Sequence, residues 1–485
     1  MQQVILTPEE FVEAPAEISR ERRPASTRAT VALGTAMGVV TAAVYLVGSG
    51  RSIGDVDSSV TVGAFVKTPA LVDPLRRTLD VPGFRFNNHP LFSLIEHTVW
   101  SAGFHSETAL RIAPAVFGAL AVGLLATACA RRFGVIAGFC AGAILATNPM
   151  FAFLSRELRD YSLVVLCAVA STILLFRILE QDEPRARTRV GYSLVVAAGL
   201  ATHLWFAPVL VAQAVVVLAQ RKSDRRWIAQ WAVATVLGLG IYIRIADAMF
   251  HGQRNGFSNT SFPTKAARLI LGHQWLAVAI LGGFVVCAIA LSSHSRALRL
   301  ASLAVGAMVA FVWLAIQPQG LGPRYIIWLV PLVGLSAAVV VARRPWAAVL
   351  VGVALIAMVA DQAPNWSTSS PNLARAAAIL DAARARDLRV CGYKAGQWAV
   401  LAYTTSPMYL PPEGVAGCDV VVEMELPRTQ YDDVIRAQLP YVWREPGRNP
   451  VVVFSRTAIR PMIVPPRELS LEAHPNTYAW RPSGP

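Results

Sequence analysis

The sequence predicts an all-α polytopic membrane protein that carries a small C-terminal α/β domain outside the membrane. The first observation is composition, because 54% of the 485 residues are hydrophobic and only 15% are charged. Soluble domains contain roughly 25% charged residues. The second observation is spacing, since the charges gather between apolar runs near the ~20 residues that a spanning helix needs. A β-barrel would instead show alternating segments of about 10 residues.

The net charge fits the same class. A formal charge of +14 would suggest nucleic-acid binding in a soluble protein. Here the arginines lie between apolar helices, and the sequence contains no basic stretch interleaved with aromatic residues. Because basic residues concentrate in the cytoplasmic loops of membrane proteins, membrane topology explains the charge, and no nucleic-acid partner is expected.

The apolar runs predict about eleven spans in a membrane domain over residues 29–361. Residues 1–28 are predicted to be a cytoplasmic tail. Their arginines resemble the start of a signal peptide, but the run that follows is too long for one and lacks a convincing cleavage site. The predicted spans cover residues 29–49, 110–130, 134–153, 160–179, 190–204, 205–220, 227–248, 274–292, 300–316, 325–342 and 346–361.

Basic residues orient these spans. With the N-terminus in the cytoplasm, all five internal loops are basic, from Arg131 to Arg344, as the positive-inside rule requires. Residues 50–109 must then form one long external loop. Its apolar stretch Pro90–Phe104 is short and contains Glu96, which is typical of a re-entrant or interfacial helix. The predicted location is a bacterial inner membrane, with the C-terminus on the extracytoplasmic side.

Polar motifs recur on the external side of this topology, where ionisable groups at membrane depth tend to mark functional sites. Asp55 and Asp57 follow the first span directly. A carboxylate there can act as a general base for an acceptor hydroxyl, and two acids at this spacing can hold a divalent cation. The alternative is a turn or a helix N-cap.

A second motif opens the predicted interfacial helix. Pro90 suits the first turn of a helix, so Asn88 and His89 would lie at its N-terminal end. The helix dipole favours anions at this end, including phosphate. The alternative for His89 is a structural role.

The densest polar cluster between two spans is Ser155–Tyr161. Arg156 and Arg159 are three residues apart and would share one face of a helix. An arginine pair on the external side departs from the positive-inside trend, and the forked guanidinium suits phosphate oxygens. The alternative is internal pairing with Glu157 and Asp160.

Two shorter motifs complete the external face. Arg324 and Tyr325 enter the tenth span, where the arginine is a second candidate for phosphate binding or snorkels to lipid headgroups. His203 and Trp205 lie between the fifth and sixth spans, and the tryptophan is typical of an aromatic belt.

Taken in order, these motifs resemble the C-type glycosyltransferase superfamily, and most closely its dolichyl-phosphate-mannose protein mannosyltransferase-like group, which includes aminoarabinose transferases. That group has an Asp-Glu pair in the first external loop, then His-Pro-Pro-Leu, a Ser-Arg-Glu-x-Arg-x-Tyr stretch and a late Arg-Tyr. Here Ser58 follows Asp57 in place of the glutamate, and the second proline after His89 is absent. The base is therefore Asp57 or Asp55.

The resemblance implies inverting transfer of a sugar from a polyprenyl-phosphate donor to a hydroxyl of a glycan, lipid or protein. No cofactor is required, although a divalent cation such as Mg²⁺ or Mn²⁺ remains an option. The rivals are a transporter or flippase and a noncatalytic membrane scaffold; a transporter would place its polar sites at the midplane, with internal repeats. Expected donor-phosphate ligands are Arg156, Arg159, Tyr161, Arg324 and His89, and expected substrate contacts are Asn88, Glu157, His203 and Tyr325.

Residues 365–485 are predicted to form the external domain. Periodicity predicts helices at residues 372–387 and 431–439 and short strands at residues 388–393, 419–423 and 450–454. Cys391 and Cys418 could form a disulfide in the oxidising space outside the membrane. The domain either helps to bind the acceptor or caps the membrane domain.

Overall fold

The computed structural model describes most of the membrane domain and the centre of the C-terminal domain. Residues 1–25 and the predicted span 300–316 lie outside the described residues, as does Asp55. The described residues are 26–47, 49, 53, 56–78, 87–181, 183–219, 225–243, 270–272, 274–291, 323–367, 373–393, 400, 402–403, 414–424, 438–439, 441–445, 451–457, 459 and 481–482.

The described chain is mainly helical, as predicted. Four helices are long and apolar enough to cross a membrane, and five shorter apolar helices accompany them within the described residues. The helices are α1 Thr27–Leu46, α2 Val56–Val60, α3 Asp73–Arg76, α4 Pro90–Ser101, α5 Glu107–Phe133, α6 Val135–Thr147, α7 Pro149–Leu154, α8 Tyr161–Leu179, α9 Ala186–Thr202, α10 Ala207–Ala219, α11 Arg225–Gly240, α12 Trp275–Leu291, α13 Val330–Arg343, α14 Ala347–Ser367 and α15 Leu373–Arg384. The protein is therefore a multi-pass membrane protein.

Small residues bring the membrane helices into close contact. A methyl group on Gly34 of α1 would lie 2.5 Å from the carbonyl oxygen of Gly123 in α5. A methyl group on Gly334 of α13 would lie 2.7 Å from the carbonyl oxygen of Ala141 in α6. Membrane helices gain no hydrophobic driving force from one another, so close packing of this kind stabilises their association.

A neutral polar network lies among these helices, and we call it the membrane network: Tyr192, Gln213, Ser171, Thr172 and Trp231. The hydroxyl of Tyr192 donates to Oε1 of Gln213 at 2.9 Å and accepts from the indole N–H of Trp231 at 3.1 Å. The amide of Gln213 donates to the hydroxyls of Ser171 and Thr172. These contacts join α8, α9, α10 and α11.

Breaks in the helices carry the polar motifs. The predicted span 134–153 is wrong as a single helix, because α6 ends at Thr147 and α7 begins at Pro149. A residue before proline avoids the helical region, and Asn148 is extended while its side chain caps α7 through the N–H of Phe151. Short 3₁₀ helices at Leu204–Phe206 and Pro323–Leu329 precede α10 and α13.

The C-terminal domain contains α15 and a mixed four-stranded sheet. The strands of the chain are β1 Arg77–Thr78, β2 Val390–Tyr393, β3 Val420–Met424, β4 Tyr441–Glu445, β5 Val451–Ser455 and β6 Arg481–Pro482. The four-stranded sheet has the order β2-β3-β5-β4, in which β2 and β3 are parallel and the other pairs are antiparallel. Strand β4 was not predicted, and only residues 438–439 of the predicted helix 431–439 are described. A disulfide joins Cys391 and Cys418.

Strand β1 lies between α3 and α4, and it pairs with β6 near the C-terminus. Backbone pairing therefore joins the loop between α1 and α5 to residues 481–482.

Candidate functional site

The polar motifs predicted on the external side meet around Asp57. This residue lies in the first turn of α2, and its Oδ2 is 2.5 Å from Nη1 of Arg324. Nη1 of Arg159 donates to the carbonyl oxygen of Asp57 and to the hydroxyl of Thr61, each at 3.3 Å. Three motifs that are distant in the sequence thus supply one carboxylate and two guanidinium groups to one place.

The two arginines decide the ionisation of the carboxylate. Burial raises the pKa of Asp57, but the charges of Arg159 and Arg324 outweigh burial and hold the pKa below its usual value. Asp57 is therefore a carboxylate at neutral pH, which is the form that a general base needs.

A π-helical turn, Thr61–Val66, continues α2 and is buried throughout. Such turns are frequent at functional sites. The hydroxyl of Thr61 donates to the carbonyl oxygen of Asp57 at 2.8 Å, so its only hydrogen is in use. Nε2 of His89, at 3.2 Å from the same hydroxyl, must then be the donor in that contact.

His89 is held on both sides. Its Nδ1 lies 3.0 Å from the hydroxyl of Ser93, and its backbone N–H donates to the side chain of Asn87. Burial, Arg159 and His203 hold the pKa of His89 well below its usual value, so the imidazole is neutral. We call Asp57, Thr61, His89, Arg159 and Arg324 the border cluster. Within it, His89 supports Thr61, and both of its ring nitrogens already have partners.

An aromatic group adjoins the border cluster. The ring of Tyr325 stacks on Trp205 with centroids 5.5 Å apart, and the rings of Tyr161 and His203 stack at 6.0 Å. The guanidinium of Arg159 lies 5.6 Å from the centre of the Tyr161 ring. Trp205, which its position predicted as a belt residue, is thus part of this group.

His203 presents an unpartnered donor beside these rings. Its Nδ1 accepts from the N–H of Trp205 at 3.1 Å, which places the hydrogen of the neutral ring on Nε2. Burial, together with the charges of Arg159 and Arg324, lowers the pKa of His203 to about 3. Nε2 is buried and has no hydrogen-bond partner in the described part of the chain.

Asp160 is the second acid of the site. Both oxygens of its buried side chain lack a hydrogen-bond partner among the described residues. Burial raises its pKa to about 7, against the opposing effect of Arg159. Near neutral pH this side chain can therefore exist with or without its proton, unlike Asp57.

Other predicted site residues lie at the edge of this arrangement. Arg156 donates to the carbonyl oxygen of Val47 at 2.7 Å, at the end of α1. The prediction that Arg156 and Arg159 share a helix face is wrong, because the chain forms turns between α7 and α8. Glu157 is buried, and its backbone oxygen accepts from the N–H of Arg159 at 2.8 Å. The backbone oxygen of Asn88 accepts from the hydroxyl of Tyr242 at 3.4 Å.

Thr61 and Ser93 were not predicted as site residues. Each lies four positions after a predicted one, Thr61 after Asp57 and Ser93 after His89. Residues at this spacing are neighbours on a helix, so the spacing was a usable signal. No group of three or more His, Cys, Asp or Glu side chains suited to a metal is found in the described part of the chain.

Comparison with known proteins adds an independent view. Residues 89–249 match the family model described as dolichyl-phosphate-mannose-protein mannosyltransferase. The crystal structure of ArnT from Cupriavidus metallidurans in the apo state superposes with a TM-score of 0.59 at 14% sequence identity, over 87% of this chain and 98% of that chain. The chain therefore shares the fold of ArnT over most of its length.

A second crystal structure of that ArnT is also similar to this chain. ArnT from Cupriavidus metallidurans bound to undecaprenyl phosphate has a TM-score of 0.59 and 14% identity, and the match covers 88% of this chain and 98% of that chain. A search of curated protein sequences finds no match to this chain. The matched region at residues 89–249, the shared fold and the helical membrane architecture therefore agree with the resemblance that the polar motifs carried.

Proposed function

We propose that this protein is an integral membrane glycosyltransferase that moves a sugar from a polyprenyl-phosphate donor to a hydroxyl acceptor outside the cytoplasm. The observation that carries the proposal is the ion pair between the carboxylate of Asp57 and Arg324, with Arg159 bonded to the backbone carbonyl oxygen of the same residue. The fold shared with ArnT bound to undecaprenyl phosphate supports the class of donor. Basic internal loops support an inner-membrane location with the site on the extracytoplasmic face.

The chemistry assigns a separate role to each charge. The acceptor oxygen forms a bond to the anomeric carbon as the bond from that carbon to the phosphate oxygen breaks, and the phosphate leaves with the electron pair. Arg159 and Arg324 stabilise the growing charge of the phosphate. Asp57 takes the hydroxyl proton of the acceptor. Attack from the face opposite the phosphate inverts the anomeric configuration.

The ion pair between Asp57 and Arg324 explains how the base is released. In the structure these side chains bind each other, so neither is fully available to a substrate. A donor phosphate can also bind a guanidinium through two parallel hydrogen bonds, and by replacing Asp57 as the partner of Arg324 it would free the carboxylate for the acceptor. Donor binding and activation of the base are then coupled through Arg324.

The test uses full-length protein in membranes supplied with radiolabelled mannose or arabinose on decaprenyl or undecaprenyl phosphate. Asp57→Asn should lower the transfer rate by about 10²–10³-fold, the loss typical of removing one essential transition-state group. Binding of undecaprenyl phosphate should survive, because both arginines remain. Asp73→Asn is the matched control, since Asp73 lies in the same external loop and its carboxylate accepts from the N–H of Ala70. Undiminished transfer by Asp57→Asn would remove the assignment of Asp57 as the base.

A further inference from the structure

A short turn of the C-terminal domain reaches the segment that carries Asp57. The N–H of Ala402 donates to the hydroxyl of Ser59 at 2.9 Å, and the carbonyl oxygen of Ala402 accepts from Nζ of Lys67 at 3.0 Å. Ser59 is two residues after Asp57, and Lys67 directly follows the π-helical turn. Ala402 therefore contacts both ends of the segment that presents the acid.

Tyr403 adds two hydrogen bonds beside this contact. Its hydroxyl accepts from the N–H of Ile53 at 2.8 Å and donates to Oε1 of Glu107 at 2.9 Å. The side chain has no exposed surface. Tyr403 thus ties the chain before α2 to the first turn of α5.

These contacts are buried, and they join residues that are far apart in the sequence. The bonded residues are 296 to 350 positions apart in the chain. Ser59 and Lys67 are buried, and the ammonium of Lys67 also lies 5.4 Å from the centre of the Trp100 ring. Removing one partner of a buried hydrogen bond leaves the other unsatisfied, which costs more than the bond itself contributes. The position of α2 therefore depends on the turn at Ala402 and Tyr403.

We infer that the C-terminal domain positions the base: Ala402 and Tyr403 hold Ile53 and residues 56–67 so that Asp57 faces Arg324 and Arg159. The inference rests on the proposed function and gives the C-terminal domain a role beyond capping or acceptor binding. Tyr403 is a positioning residue, since it acts through the segment and has no contact with Asp57 itself.

Tyr403→Phe in the full-length protein tests this inference, because it removes both hydrogen bonds and keeps the ring. The turnover rate should fall by about 10-fold to 100-fold, the range expected for a displaced catalytic group. Binding of undecaprenyl phosphate should be unchanged. Peptides that cover residues 56–67 should exchange their amide hydrogens faster than in the wild type.

The pH profile separates positioning from simple loss of folded protein. The charged groups that act on Asp57 are Arg159, Arg324 and Asp160, and neutral His89 reaches it through Thr61. Moving Asp57 away from the two arginines raises its pKa, so the acid limb of the turnover profile should shift to higher pH in Tyr403→Phe. Loss of folded protein would scale turnover equally at every pH.

Tyr192→Phe is the matched control, because Tyr192 also makes two buried hydrogen bonds but lies in the membrane network. It should keep the wild-type pH profile and the wild-type exchange of residues 56–67. Wild-type turnover in Tyr403→Phe, or a loss that is uniform in pH and shared with Tyr192→Phe, would overturn the inference. If the wild type transfers no sugar, the proposed function fails. Faster exchange of residues 56–67 in Tyr403→Phe, and not in Tyr192→Phe, would then still support the contact between the turn at Ala402 and Tyr403 and the segment that carries Asp57.

Discussion

The border cluster and the membrane network are both buried sets of hydrogen-bonding side chains. They differ in charge and in whether the polar groups in and beside them have hydrogen-bond partners. The membrane network contains only neutral groups, and the hydroxyl of Tyr192 and both ends of the Gln213 amide have partners. The border cluster contains an acid and two arginines, and next to it Asp160 and His203 have side-chain atoms without partners among the described residues.

This difference separates two uses of buried polarity. A satisfied neutral network stabilises helix association in a membrane, where the alternative is a polar group in hydrocarbon. Unsatisfied and charged groups lower stability, so their presence indicates that something else uses them. Perturbed pKa values concentrate at functional sites for the same reason. Substitutions in the border cluster should therefore affect turnover, and substitutions in the membrane network should affect stability.

The largest effect is expected at Arg324, whose Nη1 contacts the base and which is assigned to the leaving phosphate. Arg324→Ala should lower transfer by about 10²–10³-fold, and Arg324→Lys by less, because lysine keeps the charge but loses the fork. The measurement is the transfer rate at saturating donor. Arg384→Ala is the control, since it removes an arginine that pairs with Asp381 in α15. Equal transfer rates for Arg324→Ala and the control would contradict the expectation that substitutions in the border cluster affect turnover.

A smaller effect is expected from the proton on Asp160. Because burial raises its pKa in the folded state to about 7, its contribution to stability is full below about pH 4 and is lost as the pH rises through about 7. The pKa of Asp57 is lowered, so its contribution to stability is lost as the pH falls. Asp160→Asn mimics the protonated acid, so it removes the pH dependence that comes from Asp160 and keeps the one that comes from Asp57.

Thermal unfolding of the purified protein in detergent measures this contribution. Asp160→Asn and the wild type should have similar midpoints below about pH 4, and the variant should become increasingly more stable than the wild type as the pH rises from about 4 to about 7. If the midpoints of the two proteins instead change in parallel with pH, the side chain of Asp160 does not bind a proton near neutral pH. Its unpartnered oxygens would then need another explanation.

Much of the fold could be predicted from the sequence, because long apolar runs between basic loops have few other structures available to them. The spans read at 29–49 and 160–179 correspond to α1 and α8, and the stretch beginning at Pro90 forms α4. The break at Asn148 was missed, since the run on both sides of it is equally apolar. Local geometry at one Asn-Pro pair outweighed hydropathy there.

The site was harder to predict than the fold. The motifs identified Asp57, Arg159 and Arg324, but hydrophobicity carries no information about which of them touch. Arg156 and Arg159 are the same residue type three positions apart, yet one reaches α1 and the other reaches Asp57. The different partners of the two arginines depend on turns between α7 and α8. The contact of Tyr403 depends on a chain segment about 300 residues away. No local sequence pattern indicates either contact.

The smallest effect on turnover is expected from Gln213→Leu, which removes the centre of the membrane network. The variant keeps a side chain of similar size but leaves the hydroxyl of Tyr192 without its acceptor. Stability should fall by about 0.6–2 kcal/mol, the range measured for polar contacts between membrane helices. Turnover per folded molecule should stay at the wild-type level, because no group of the border cluster bonds to Gln213 in the described structure. A loss of turnover without a loss of stability would mean that the network communicates with the site, and the two regions would then have to be treated as one functional unit.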